Sequence, residues 1–201
     1  IRDARVLPPV KKQVEHHDAM PWREVPAFYA DLATRSAMAA KALQFTILTA
    51  ARTSEVLEMT WSEVDFESRL WTVPATRMKG GVEHRVPLTN EMLAILEPLK
   101  AMASTYVFEG QKRHQPLSNM SMLMLLRRMG RNDVTVHGFR SSFRDWAAEE
   151  SGAPRELAEA ALAHQVGSDV ERAYARSDLL ERRRELMERW SQYLLKNSER
   201  K

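Results

Sequence analysis

The stretch VTVHGFRSSFRDWAAEE, residues 134–150, carries an imidazole and two guanidinium groups among three aromatic rings. At about 100° per residue, Phe139, Phe143 and Trp146 fall within about 60° of one another, a core-facing stripe. His137, Arg140 and Arg144 fall within a second arc of about 60°, well away from the first. A helix anchored by its rings and offering cations elsewhere suits an anionic guest. A second pair, His164 and Tyr174, lies in LAHQVGSDVERAYARSD. On one continuous helix these two would be about 80° out of register. Gly167 is a natural stop, and Ser168 to Glu171 form a Ser-x-x-Glu capping box that starts another helix. His164 then ends one helix and Tyr174 sits in the second turn of the next, so both can reach one pocket.

Two upstream cations complete the set. Arg52 precedes Glu55 by three residues, a spacing that predicts an ion pair able to orient the guanidinium. Lys79 stands in MKGG, residues 78–81, a strong turn signal; taken alone it is an exposed turn lysine.

The 201 residues suit one good-sized domain, or a domain plus an arm. With 44% hydrophobic and 28% charged residues the composition is that of a soluble globular protein. No run approaches the eighteen or more apolar residues of a membrane span. The absence of cysteine excludes disulfides, a thiol nucleophile and thiolate metal sites. Neither a starting methionine nor a signal-peptide pattern is present, so a fragment or processed chain of a cytoplasmic protein is expected. A net charge of +3 does not itself mark a nucleic-acid binder; the placement of the arginines matters more.

These groups need elements to position them. Residues 1–20, with LPPVKKQVEHHDAMP, have the composition of a linker or extended arm, and His16, His17 and Asp18 lack partners at metal-ligand spacing. From Trp22 to Ala51 the pattern is helical, with Met38, Phe45 and Leu48 on one face. RTSEVLEMT is a short helix with Thr53 or Ser54 as cap. SEVDFES, RLWTVPA and EHRVPLT predict a small antiparallel sheet of three strands. Helices resume at NEMLAILEPLKAM and at SNMSMLMLLRRMG, whose methionines read as core filler. They continue through residues 134–150 and PRELAEAALAHQVG, and two more follow from Ser168. The last presents Leu179, Leu186, Trp190, Tyr193 and Leu194 as an apolar surface. The fold class is α+β, mainly α, with a three-stranded antiparallel sheet inserted between helices.

Arg52 in TAARTSEVLEMTWSEVD, Lys79 in TRMKGGVEHRVPLT, HGFR at 137–140, LAH ending at His164, and Tyr174 follow the order and spacing of the tyrosine recombinases. More narrowly, the chain resembles the catalytic domain of a phage or genomic-island integrase over roughly residues 22–190. That resemblance implies a recombinase catalytic domain over 21–201. It implies that the N-terminal DNA-binding domains of full-length enzymes are absent from this chain. One departure is Ala50, where many members have glycine, which predicts a differently shaped backbone before Arg52.

The resemblance also implies the roles. Arg52 and Arg140 clamp the scissile phosphate, supplying without a metal or other cofactor the field that the transition state needs. Tyr174 is the nucleophile, His137 accepts its proton, and His164 donates a hydrogen bond to a non-bridging oxygen. Lys79 protonates the leaving 5′ hydroxyl, and Glu55 supports Arg52. Arg144 contacts backbone phosphate or forms an ion pair with Asp145, Glu149 or a neighbour. The implied partners are double-stranded DNA attachment sites, other recombinase protomers (a tetramer on DNA, a monomer alone) and accessory DNA-bending proteins. The C-terminal helix packs on its own domain or docks on a neighbouring protomer. A type IB topoisomerase, a catalytically silent DNA-binding module and a metal-dependent nuclease are the rival readings. Supercoil relaxation without strand exchange, DNA retention without an adduct, and loss of activity in chelator would mark them in turn.

Overall fold

The computed structural model describes residues 18–102, 104–164 and 178–196. In chain order its longer elements are α1 (Val25–Ala33), α2 (Met38–Thr49) and α3 (Thr53–Leu57), then β1 (Val64–Asp65), β2 (Leu70–Val73) and β3 (His84–Pro87). There follow α4 (Asn90–Leu99), α5 (Ser121–Arg128), α6 (Gly138–Glu149), α7 (Arg155–Ala161) and α8 (Leu180–Leu195). The three strands form one antiparallel sheet in the order β1-β2-β3, with Trp71 opposite Val86 and Val73 opposite His84. Alternation along β2 sends Trp71 and Val73 inward. No described helix is long and apolar enough to cross a membrane.

α2 is buried along most of its length and forms the centre of the core. Phe45 meets Trp71 and Phe108, each with ring centroids 5.6 Å apart, which fixes the sheet to the helices. The aromatic stripe of α6 is realised: Phe139 stacks on Phe28, Phe143 meets Trp190 edge-on, and Trp146 lies 4.9 Å from Trp190. Trp190 is fully buried and donates its indole N–H to the Ile47 carbonyl at 2.9 Å, so α8 docks on its own domain. Met122 is core filler as expected, whereas Met120 and Met124 are exposed. They lie on the outer side of the α5 region, opposite the packed face.

Three boundaries differ from expectation. Arg52, not Thr53 or Ser54, occupies the cap position of α3, because Glu55 accepts the Arg52 backbone N–H at 2.9 Å. His137 occupies the cap position of α6 rather than its interior. α7 stops at Ala161, well before Gly167. There Ala163 takes a left-handed φ of 51°, its N–H bonds the Ala160 carbonyl, and the His164 N–H bonds that of Glu159. This is a Schellman turn built on alanine. The second-helix expectation around Ser168–Glu171 lies outside the described residues.

The entering chain runs tightly over the start of α6. The Asp18 carbonyl accepts from Thr135 N–H at 3.0 Å, and Met20 is in the core. A Cβ on Gly138 would strike the Asp18 carbonyl and the Ala19 backbone. Gly138→Ala is therefore expected to lower stability by about 1–3 kcal/mol. A urea-denaturation midpoint equal to that of the wild type would refute this packing.

Candidate functional site

The site lies where the C-terminal ends of α2 and α7 meet the first turn of α6. Arg140 projects into that junction and is buried, only 4% exposed. Its Nη1 donates to the Ala50 carbonyl at 2.6 Å and its Nη2 to the Leu162 carbonyl at 2.7 Å. Ala50 and Leu162 are the C-cap residues of α2 and α7, where carbonyls lack intrahelical partners and the dipole favours a cation. Ala50 holds φ 50° and ψ 25°, the left-handed conformation that glycine adopts most readily. An alanine thus holds the kind of left-handed turn that glycine favours immediately before Arg52. It does so at a cost of about 1 kcal/mol.

Arg52 approaches the same junction from α3. Glu55, buried in the first turn, accepts Arg52 Nη1 at 2.6 Å as well as its backbone N–H. The expected orienting pair is present. Arg52 Nη2 then reaches the Ala163 carbonyl at 3.3 Å. Burial, followed by repulsion from Arg52, pushes Arg140 down to about 10, with Glu55 and Glu159 pulling the other way. It is cationic at neutral pH, and its buried Nε has no hydrogen-bond partner among the described residues. Two guanidiniums crowded in this way are poised for an anion, whose charge relieves both repulsion and desolvation.

His164 follows the turn that ends α7. Its Nε2 lies 3.0 Å from Arg140 Nη2 and its Nδ1 2.5 Å from Glu159 Oε2. His137 is exposed and lines a cleft of about 580 Å³ with Arg52, Ser54, Gln115 and Ser118. The structure therefore bonds Arg52 to Glu55 and Arg140 to His164, joins the two pairs through the adjacent Ala163 and Leu162 carbonyls, and places His137 on the cleft beside Arg52. Lys79 is exposed on the turn between β2 and β3, with no hydrogen bond or ion pair to that cluster. Arg144 pairs through Nε with Glu159 Oε1 at 2.9 Å, the neighbour that answers its ion-pair alternative. Tyr174 lies outside the described residues.

Three residues that sequence reasoning passed over support the cluster. Burial tends to raise the Glu159 carboxyl. The hydrogen bond from His164, and the charges of Arg144, His164 and Arg155, outweigh it and hold the carboxyl below the usual range. An acid in the last turn of a helix opposes the macrodipole, and that was the legible sign of cationic partners. His84 on β3 is pushed down to about 4, by burial first and Arg183 second, against the hydrogen bond to Ala161 and the charge of Glu55. Arg183 on α8 is buried and donates to the Arg85 carbonyl at 2.6 Å and to Asp178 Oδ2 at 3.0 Å. It ties the start of α8 to β3.

The family profile described as the phage integrase family matches residues 19–181. The chain belongs to that family. It is 41% identical over 149 residues to Prophage integrase IntA of Escherichia coli (strain K12), covering 72% of this chain and 36% of that protein. It is 33% identical over 185 residues to the Integrase of Shigella phage Sf6, covering 87% of this chain and 47% of the relative. The chain thus spans half or less of the length of these relatives. Among solved structures, the integrase from mycobacterium phage Brujita superposes with a TM-score of 0.63 at 22% identity, covering 91% of this chain and 60% of that one. A lambda integrase(75-356) dimer bound to a COC′ core site gives 0.59 at 19% identity, covering 77% and 60%. Both agree with a mainly helical domain carrying a small antiparallel sheet.

His84 supplies a test of the site's support. Its folded-state pKa lies below the ordinary histidine value of 6.5, so its stabilising contribution is complete above that value and declines as pH falls toward 4. Between pH 7 and 5 the wild type should lose up to about 2 kcal/mol more stability than His84→Gln. Parallel pH profiles of the two urea midpoints would contradict the assignment.

Proposed function

We propose that this chain is the catalytic domain of a site-specific DNA recombinase that integrates or excises a mobile element through a 3′-phosphotyrosyl intermediate. The observation that carries the reading is the buried Arg140 guanidinium, held with Arg52 and His164 in one junction, in a chain of the phage integrase family.

In this reading a scissile phosphate sits between Arg52, Arg140 and His164. The two guanidiniums balance the charge added as the phosphorus becomes five-coordinate. The Tyr174 hydroxyl attacks phosphorus, giving its proton to His137 on the cleft. The bond from phosphorus to the 5′ oxygen breaks, and Lys79 protonates that oxygen as it departs. The phosphodiester is exchanged for a phosphotyrosyl ester of similar energy. A 5′ hydroxyl from another strand then reverses the steps and releases the tyrosine. No water is consumed, and no metal or nucleotide is required.

The other tyrosines support the choice of nucleophile. Tyr29 is buried, and burial and then Glu91 push its phenol well above the ordinary range. Tyr193 stacks on Trp190, and burial and then Glu150 push it up as well. Tyr106 is tied by its backbone into a bridge with Thr60. The chain has four tyrosines, and Tyr174 is the remaining one.

The partners follow from the chemistry: duplex attachment sites, further protomers assembling as a tetramer on DNA, and accessory proteins that bend the DNA, in the cytoplasm. One related solved structure is a lambda integrase tetramer bound to a Holliday junction, which supports the tetrameric reading. Arg144 would serve DNA backbone contact only after leaving Glu159.

A nicked suicide duplex tests the reading. A covalent adduct mapping to Tyr174 is expected, unaffected by chelator, absent in Tyr174→Phe and reduced at least about 100-fold in Arg140→Ala. An adduct on another tyrosine, DNA retention with no adduct in a protein restored to full length, or chelator-sensitive cleavage would overturn it.

A further inference from the structure

Glu159 is a buried acid that the proposed reaction does not use, yet both its oxygens are committed. Oε1 takes Arg144 Nε at 2.9 Å, with Arg155 Nε at 3.9 Å, while Oε2 takes His164 Nδ1 at 2.5 Å. Its side chain is only 7% exposed, so water has little room to replace either partner. α6 contributes Arg140 and Arg144 to this junction, α7 contributes Arg155, and Arg52 arrives from the start of α3.

We infer that Glu159 is a positioning residue for His164: it holds the proton on Nδ1 and the ring at the pitch that directs Nε2 to the phosphate site beside Arg140. The inference rests on the recombinase reading for what the ring does there. An imidazole without a partner at Nδ1 exchanges tautomers and flips about its Cβ–Cγ bond, which would bring a carbon to the reacting phosphate. With Nδ1 committed to the carboxylate, Nε2 is fixed opposite Arg140 Nη2, where it accepts that N–H. A phosphate oxygen entering between the two takes the Arg140 hydrogen bond. His164 takes up a solvent proton at Nε2 as the phosphate enters and donates it in a hydrogen bond to the same oxygen, while Nδ1 stays on Glu159. Arg144 orients the carboxylate from the far side, so a chain of contacts runs from Arg144 through Glu159 to His164 and Arg140. A purely structural Glu159 would need only its arginine partners, whereas here the shorter contact is to the imidazole.

The test compares Glu159→Gln, whose carbonyl can still accept from Nδ1, with Glu159→Ala, which cannot. In the 201-residue chain labelled with 15N-histidine, His164 is assigned from its loss in His164→Gln, and its tautomer is read from ring nitrogen shifts. The wild type and Glu159→Gln should show the Nδ1-protonated form, and Glu159→Ala a mixture. On the suicide duplex, Glu159→Ala should cleave roughly 10- to 100-fold more slowly, with Glu159→Gln recovering much of the loss. An unchanged tautomer in Glu159→Ala, or a Glu159→Gln that keeps the tautomer yet cleaves as poorly as Glu159→Ala, overturns the inference. Failure of the wild type to form any adduct would count against the recombinase reading and leave the tautomer result standing. Should Glu159→Ala fail to fold, Glu159→Leu, which fills the space yet cannot accept from Nδ1, replaces it in both measurements with the same expected outcomes.

Discussion

The buried guanidinium of Arg140 is the constraint around which this domain is arranged. A charge removed from water in this way is tolerated only with strong compensation. Two helices supply it by ending on the guanidinium, one at Ala50 and one at Leu162. Each of those ends turns through an alanine in the left-handed region, Ala50 itself and Ala163 after Leu162. Local backbone strain is thus exchanged for carbonyls aimed at a cation. The compensation is incomplete by design: Arg52 stands close enough to repel, and one Arg140 nitrogen lacks a partner among the described residues. In the proposed recombinase reading, a phosphate would supply the missing negative charge.

The rest of the fold keeps that junction in place. α2 runs through the core and delivers Ala50, and α6 is pinned by Phe139, Phe143 and Trp146 so that Arg140 points away from them. α8 closes the far side through Trp190, whose hydrogen bond to Ile47 returns to α2. Arg183 and Asp178 bind the start of α8 to β3, and His84 on that strand bonds to the end of α7. The sheet is small, but it links the helix that follows Tyr174 in sequence with the turn preceding His164.

Much of this was legible in residue type and spacing. The aromatic stripe on 134–150 and the alternation in RLWTVPA each reflect one dominant force, burial of apolar surface at a fixed period, and both appear as expected. The Arg52–Glu55 pair was also readable, because three residues on a helix are neighbours whatever surrounds them. Less legible were features decided by residues distant in sequence. Gly167 is the stop that residue type offers for α7, yet Ala163 makes the turn because Arg52 and Arg140 capture the carbonyls there. Helical spacing puts Arg140 on one face with Arg144; it is buried because the ends of α2 and α7 close over it, while Arg144 stays half-exposed on Glu159. His84 carried no periodic signal, since its role depends on Arg183 far along the chain.

The most direct measurement of the central claim is a crystal structure of this chain on a duplex whose scissile position bears a vanadate bridge in place of phosphate. Arg52, Arg140 and His164 should each place a nitrogen within about 3 Å of vanadate oxygens, with the Tyr174 oxygen bonded to the metal centre in line with the 5′ oxygen. Vanadate bound elsewhere, or a Tyr174 hydroxyl unable to approach it in its own or a neighbouring protomer, would contradict the account.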